Sequence, residues 1–365
     1  MTIEQELTKE GIEVIRTLDR ITINSIAKSV ADKLVDSFPN YNLNENDLFM
    51  RLSRLNMYVA KMPDSLSCAK YSYKNRSIYF NETADLSCIN VYIIHECIHA
   101  LQEYRDEKDH LLRLGFCNFT SSSLPGMGLN EAAVQLMSSF AINSNLDTVK
   151  YFDITLPTYS PSYYALECTL LAQMAYITGT YDLFSSTLFC NSLFIDKFIQ
   201  LTDKGAFYNI QSNLDKILDL EDSLSFQASL LADTDENSKN ITKISDKISK
   251  LRSQIQTLFL ETQNTIFTSY FDKKFNAIST LVQVEDYRKK LYDFKDFIGF
   301  TDTYSFYNDY YIKKMTDLEI RRNEIEHGVS PSLALVPKKQ GIIARIFSKL
   351  RKLFGLSDVY EKVSI

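Results

Sequence analysis

Apolar positions recur at helical spacing from the start of the chain: Ile3, Leu7, Ile12, Ile15 and Leu18, then Ile26, Val30 and Leu34. Steps of three and four place such residues on one face of an α-helix, so two amphipathic helices are predicted over residues 3 to 37, ending before Pro39. A short helix is predicted from Asp47 to Leu55. The period then shortens. Met57-Tyr58-Val59-Ala60, Ala69-Lys70-Tyr71-Ser72-Tyr73 and Ser77-Ile78-Tyr79-Phe80 are brief runs carrying β-branched and aromatic residues, the last two joined by Lys74-Asn75-Arg76. A strand followed by a hairpin is predicted there.

Helical spacing resumes from about Ser87 to Glu107, gives way to a Gly- and Ser-containing loop from Gly115 to Gly128, and returns near Asn130. From Ser160 to Leu220 the pattern is helical, with Ser160-Pro161 as a start and Gly179 and Gly205 as punctuation. A polar stretch from Asp233 to Asn240 precedes Ile241, Ile244, Ile248, Leu251, Ile255 and Leu258, whose alternating spacing is that of a coiled-coil seam. Internal packing is the expected use of that seam, with dimerisation as the alternative. Tyr270, Phe271, Phe275, Tyr287, Tyr292, Phe297 and Tyr307 continue the helical pattern to about His327 and predict a bundle packed on it.

Composition sharpens this picture. Ten glycines and seven prolines in 365 residues, with 45% hydrophobic and 24% charged positions, suit a helix-dominated globular protein better than a turn-rich sandwich or barrel. The fold class expected is mainly α (α+β), with one small β-sheet. A net charge of −6 provides no field that would attract nucleic acid, and no nucleic-acid partner is expected. Cys68, Cys88, Cys97, Cys117, Cys168 and Cys190 are scattered without a Cys-x-x-Cys pair, which reads as reduced, mostly buried thiols. Residues Met1 to Arg20 include Glu4, Glu6, Glu10 and Glu13 and so lack the pattern of a signal peptide, and no run of about 18 apolar residues occurs. A cytoplasmic location follows as the expectation.

Within Tyr92-Ile93-Ile94-His95-Glu96-Cys97-Ile98-His99-Ala100-Leu101, two histidines four apart share one helix face, so both imidazoles can reach one cation. Glu96 is next to His95 around the helix and can face a water at that cation as general base. The intervening and flanking positions are uncharged, as a buried active-site helix requires. A catalytic zinc needs a third protein ligand. Gln102 and Arg105 stand where the extended His motif has Gly and His, which excludes that pattern, and His110 lies beyond it as a surface residue. Glu131, in Gly128-Leu129-Asn130-Glu131-Ala132-Ala133-Val134-Gln135, opens the next helix among small residues that permit close packing on the His helix. Glu167 is the reserve ligand, in Ser162-Tyr163-Tyr164-Ala165-Leu166-Glu167, a segment whose tyrosines, Tyr163 first, are candidates to donate to an oxyanion.

His95, Glu96 and His99, with Asn130 and Glu131 downstream, resemble the gluzincin metallopeptidases, whose pattern is HExxH followed by a helix bearing a glutamate ligand. The resemblance covers roughly residues 56 to 140. It implies a zincin-like core, Zn2+ as cofactor, His95, His99 and Glu131 as ligands, Glu96 as general base, and hydrolysis of a peptide or protein substrate aligned along a hairpin strand near Tyr71 or Ile78. Ala132 to Gln135 depart from the Ser-Asp pair that many members carry, so the aspartate that usually orients the histidines is missing. The domain plan is then N-terminal helices over 1–55, a catalytic domain over 56–232, a helical bundle or coiled coil over 233–327, and a basic amphipathic helix over 337–356. Two competing functions belong to other classes: a catalytically inactive zincin-fold scaffold, and a membrane-surface structural protein in which the His pair is incidental.

The last of these rests on the tail. Residues 337–356 contain Lys338, Lys339, Arg345, Lys349, Arg351 and Lys352 and no acid, which leaves the rest of a chain of net charge −6 at −12. On a helical wheel Ile342, Ile343, Ile346, Phe347, Leu350, Leu353 and Phe354 form one side and Arg345, Lys349, Arg351 and Lys352 the other. Such a helix suits the inner face of an anionic membrane, each cation contributing about 1 kcal/mol near the surface; the alternative is docking on the acidic body of this protein or of a partner. The full-length chain is expected to float with vesicles containing anionic lipid, and a chain truncated after Val336 to stay behind. Equal flotation of the two, or none, would assign the helix to protein docking.

Overall fold

The computed structural model describes residues 2–63, 68–119, 124–151, 154–234, 240–298 and 305–328. The basic segment 337–356, with Ile342, Ile346, Phe347, Lys349, Leu350, Arg351 and Leu353, lies outside the described residues.

Helix α1 (Ile3–Lys9) is followed not by a second helix but by strand β1 (Glu13–Thr17). Gly11 turns the chain with φ +73°, a conformation that side chains with a Cβ resist. The β-branched Val14, Ile15 and Thr17 then favour pleated backbone. The expected helical face from Ile12 to Leu18 is thereby split: Ile12 and Leu18 are buried, while Val14 and Ile15 face solvent. Helix α2 (Arg20–Ser37) keeps the predicted face, burying Ile23, Ile26, Ala27, Val30, Ala31 and Leu34 behind an N-cap in which Asp19 accepts from Thr22 N at 2.8 Å. Helix α3 (Glu45–Leu52) packs on it.

Strands β2 (Asn56–Lys61), β3 (Ala69–Ser72) and β4 (Ser77–Asn81) join β1 in a mixed sheet of order β1-β2-β4-β3. The predicted hairpin is present: Tyr71 lies opposite Ile78 and Ala69 opposite Phe80. β4 runs parallel to β2, so β4 is interior and β3 is an edge. Alternation gives the sheet two apolar faces. Met57, Val59, Ile78 and Phe80 join the main core, and Ala60, Met62 and Tyr79 close a small cluster with Ile12 beneath α1.

Helix α4 (Val91–Leu101) lies between β3 and the later helix α5 (Met127–Ala141). It stops six residues short of the predicted Glu107, because β5 (Glu103–Arg105) peels off to pair with β6 (Leu111–Leu114) and β7 (Cys117–Asn118). Strands β8 (Asp147–Tyr151) and β9 (Ile154–Thr158) form a further antiparallel pair. The remaining elements are α6 (Ala165–Thr178), α7 (Thr180–Phe189), α8 (Leu193–Leu201), α9 (Lys204–Ala232), α10 (Asn240–Asn276), α11 (Leu281–Phe297) and α12 (Ser305–Glu326). Gly179 divides α6 from α7 as expected, whereas Gly205 is inside α9, after the capping Asp203. The molecule is mainly α with small β-sheets.

The predicted seam runs along α10 and is internal: Ile248, Leu251 and Ile255 are buried, and α10 packs against α9. Beyond it, Phe267, Phe271, Tyr287, Phe294 and Tyr307 meet edge to face at centroid separations of 4.9 to 5.8 Å. Tyr292 is exposed, and Phe294 takes the inward position on α11 instead. One apolar cluster extends from Leu18 through α4, α5 and α9 to Leu318. Among the described residues, no helix is long and apolar enough to cross a membrane.

Helix α5 is fixed at its start by α9. Asp215 accepts from Gly126 N and Gly128 N, both at 2.9 Å, capping a helix whose own N-cap residue has no side chain. A Cβ on Gly128 would meet Leu214 O at 2.4 Å and Leu214 C at 2.5 Å, backbone atoms that cannot turn aside. Gly128→Ala is therefore expected to push α5 from α9 and to lower stability by about 1–3 kcal/mol, as overpacking does. Urea unfolding checks this, and an unchanged midpoint would show that the two helices are not held at this separation.

Candidate metal centre

Helix α4 is apolar on almost every side, which buries His95, Glu96 and His99 to 5%, 7% and 5% exposure. Asn90 starts the helix, accepting from Ile93 N at 3.2 Å. Helix α5 crosses it with Ala132 and Ala133 fully buried, and the absence of longer side chains there brings Glu131 to the histidines. His95 Nε2 and His99 Nε2 are 3.0 Å apart, and Glu131 Oε2 lies 3.2 Å from the first and 3.4 Å from the second. Among the described residues this trio is the group of three or more potential ligands whose donor atoms converge, all within 4.8 Å.

The hydrogen bonds behind the rings define what the centre needs. His95 Nδ1 is 2.9 Å from Gln135 Oε1, and Gln135 Nε2 donates to Ser160 Oγ at 2.9 Å, which fixes the amide orientation. His99 Nδ1 is 3.3 Å from Gln102 Oε1, and Gln102 Nε2 donates to Thr187 O at 2.9 Å, which fixes the second amide. Each ring thus carries its proton on Nδ1, and both Nε2 lone pairs point at one another and at a carboxylate oxygen. That arrangement holds together only around a cation. A proton or a metal ion can supply it. Burial by itself would raise the Glu131 carboxyl, but His99 and His95 outweigh it and hold Glu131 far below the usual carboxylate range. Burial likewise opposes the charged form of His99, and Glu131 overrides it to bring His99 to about 9. Two imidazoles and one carboxylate are the donor set of a catalytic zinc, so the residues fit that ion.

Glu96 is buried beside the histidines on α4. Its Oε2 accepts from Tyr71 N on the edge strand β3 at 2.6 Å, joining α4 to the sheet. Of the two strands proposed to align a peptide, β4 is enclosed and β3 is the edge strand among the described residues. Tyr164 stacks on His95 at 5.9 Å with an interplanar angle of 18°. Its backbone is left-handed (φ +52°), a strained state for a tyrosine. Burial, and then the carboxylates of Glu131, Glu96 and Glu167, push its hydroxyl well above the ordinary range.

The other candidates lie apart. Tyr163 points its hydroxyl at Cys68 Sγ, 3.6 Å away, and burial followed by that thiol pushes it up to about 12. The tyrosine brought to the ligands is its neighbour Tyr164. Glu167 is fully buried, outside the converging trio, with neither carboxylate oxygen hydrogen-bonded among the described residues. Burial, and then Glu221 of α9, raise it well above the carboxylate range. His110 is exposed and pairs with Asp106. Gln102 and Gln135 were not singled out in the sequence, although Gln135 lies one turn beyond Glu131 and therefore on its face. Comparison of the chain with family models, with curated proteins and with solved structures returned no match.

The geometry distinguishes the two glutamates. Glu131→Ala is expected to lower zinc affinity by at least 10-fold, while Glu167→Ala leaves it within a factor of two or so, as suits a residue outside the ligand trio. Competition against a chromophoric chelator measures both, and the reverse order would transfer the ligand role to Glu167.

Proposed function

We propose that this chain is a zinc-dependent peptidase of the gluzincin kind, acting on a peptide or protein substrate. The observation that carries the reading is the convergence of His95, His99 and Glu131 on one point from two helices. Glu96 lies beside the histidines on α4, hydrogen-bonded to the edge strand β3. A zinc ion held by the three would supply a Lewis acid for a carbonyl oxygen and lower the pKa of a water.

The chain's own residues supply the rest. Glu96 can take a proton from the attacking water and return it to the leaving amine, and its bond to Tyr71 N keeps the carboxylate from turning away. An extended peptide lying along the edge strand β3, whose Tyr71 N holds the Glu96 carboxylate, would pass across Glu96. Tyr164, stacked on His95 and with its hydroxyl held in the neutral, donating form, would hydrogen-bond an oxyanion. Its role here replaces the one expected of Tyr163.

Native mass spectrometry is expected to find about one zinc per chain. Glu96→Gln should retain that zinc and lose about 100- to 10,000-fold in hydrolysis of a mixed peptide library, the range of a general base. A chain that neither carries nor takes up zinc would remove the reading. A zinc-loaded chain inert toward all peptides would favour the scaffold alternative.

A further inference from the structure

Gln135 can fix the proton of His95 only if its own amide is prevented from turning over. An amide that turned by half a rotation would present Nε2 to His95 and demand the opposite tautomer, with the proton moved onto Nε2 where the ligand lone pair must be. The discrimination is made one bond further out. The Ser160 hydroxyl donates to Tyr163 O at 2.6 Å, which spends its only hydrogen. Toward Gln135 it has lone pairs alone, so it accepts from Nε2 at 2.9 Å and leaves Oε1 for His95. Ser160 is itself fixed: it is 3% exposed, and its backbone N donates to Thr158 Oγ1 at 3.1 Å.

The same short segment reaches His95 a second time. Tyr163, whose carbonyl takes the Ser160 proton, is followed by Tyr164, whose left-handed backbone lays its ring on the His95 imidazole. His95 is thus held at Nδ1 through Gln135 and on its face through Tyr164, both anchored by the bend from Thr158 to Tyr164. His99 has no part in this. Its partner Gln102 is oriented by Thr187 O from α7.

We propose that Ser160 is a positioning residue of the metal centre, selecting through Gln135 the His95 tautomer that binds metal and setting the ring plane through the Tyr163–Tyr164 bend. The proposal rests on the zinc-site reading above. It also replaces the missing aspartate of the gluzincin pattern with a neutral relay of amide, hydroxyl and carbonyl.

The test is zinc affinity, read by chelator competition on the full chain, with thermal unfolding of the zinc-free protein measured in parallel. Ser160→Ala and Gln135→Met are each expected to weaken zinc about 10-fold, the lower end for partners of metal-binding histidines. Together they should weaken it no more than the stronger single change, because they break one relay. Ser160→Thr, which keeps the hydroxyl, should bind as the wild type does. If Ser160→Ala does not fold, Ser160→Cys, similar in volume and a weak donor, takes its place. A merely structural Ser160 would lower the zinc-free unfolding temperature and leave affinity unchanged, and that result overturns the proposal, as does additivity of the two changes. A wild-type chain that binds no zinc overturns the metal centre itself and this relay with it. Wild-type binding beside an unaltered Ser160→Ala overturns the relay alone.

Discussion

Two lone pairs and a carboxylate, buried within hydrogen-bond distance of one another, set the condition the rest of the structure meets. Such a cluster is self-repelling unless a cation joins it, and burial strengthens every term because little water remains to screen it. The fold accepts this at one crossing, where α4 brings His95 and His99 and α5 brings Glu131. The crossing exists because α5 has alanine at 132 and 133, and because Gly128 lets its first turn lie against the α9 backbone. Even Gly115, with φ +53°, serves it: a Cβ there would fall 2.1 Å from Asn130 Oδ1 and 2.5 Å from Gln102 Nε2, in the network behind His99.

The long helices act on the same crossing from outside. Asp215 of α9 holds the first N–H groups of α5, so Glu131 is indexed to α9 as well as to α4. The α10 seam packs along α9, and the aromatic contacts of α11 and α12 fix α10 in turn. A bundle of this size far from His95, His99 and Glu131 is not idle mass. It sets the position of α9, which caps α5.

Periodicity made the helices legible wherever one face is buried and the other wet, as in α2 and in the α10 seam. It misled at Ile12 to Leu18, where apolar residues at helical steps belong to a glycine-terminated helix and then to a strand that exposes Val14 and Ile15. Pairing partners decide such a segment, and they are far away in sequence: β1 exists because β2 lies beside it. The short three-stranded sheet β5–β6–β7 and the pair β8–β9 escaped for the same reason. At the site, the His pair and Glu131 were readable because helical spacing alone projects them. The tyrosine was not, since a left-handed residue at 164 turns the chain in a way that no side-chain pattern reports, and it exchanges the surroundings of Tyr163 and Tyr164.

Why amides stand behind the histidines follows from charge. Glu131 and Glu96 already bring two carboxyl groups within the field of His99, and Glu167 and Glu221 lie a short way beyond, toward α9. A divalent cation offsets two negative charges. An aspartate or glutamate at 135 would add a third beneath His95, in a place with no lysine or arginine among its hydrogen-bond partners. Buried charge left unmatched costs several kcal/mol, more than the added basicity a carboxylate would lend an imidazole. The glutamines keep the directional part of the task, accepting one proton from each Nδ1, without the charge. What they give up is intrinsic orientation, because a carboxylate accepts at either oxygen and an amide at only one. The structure restores that orientation from further out, with Ser160 for Gln135 and the carbonyl of Thr187 for Gln102.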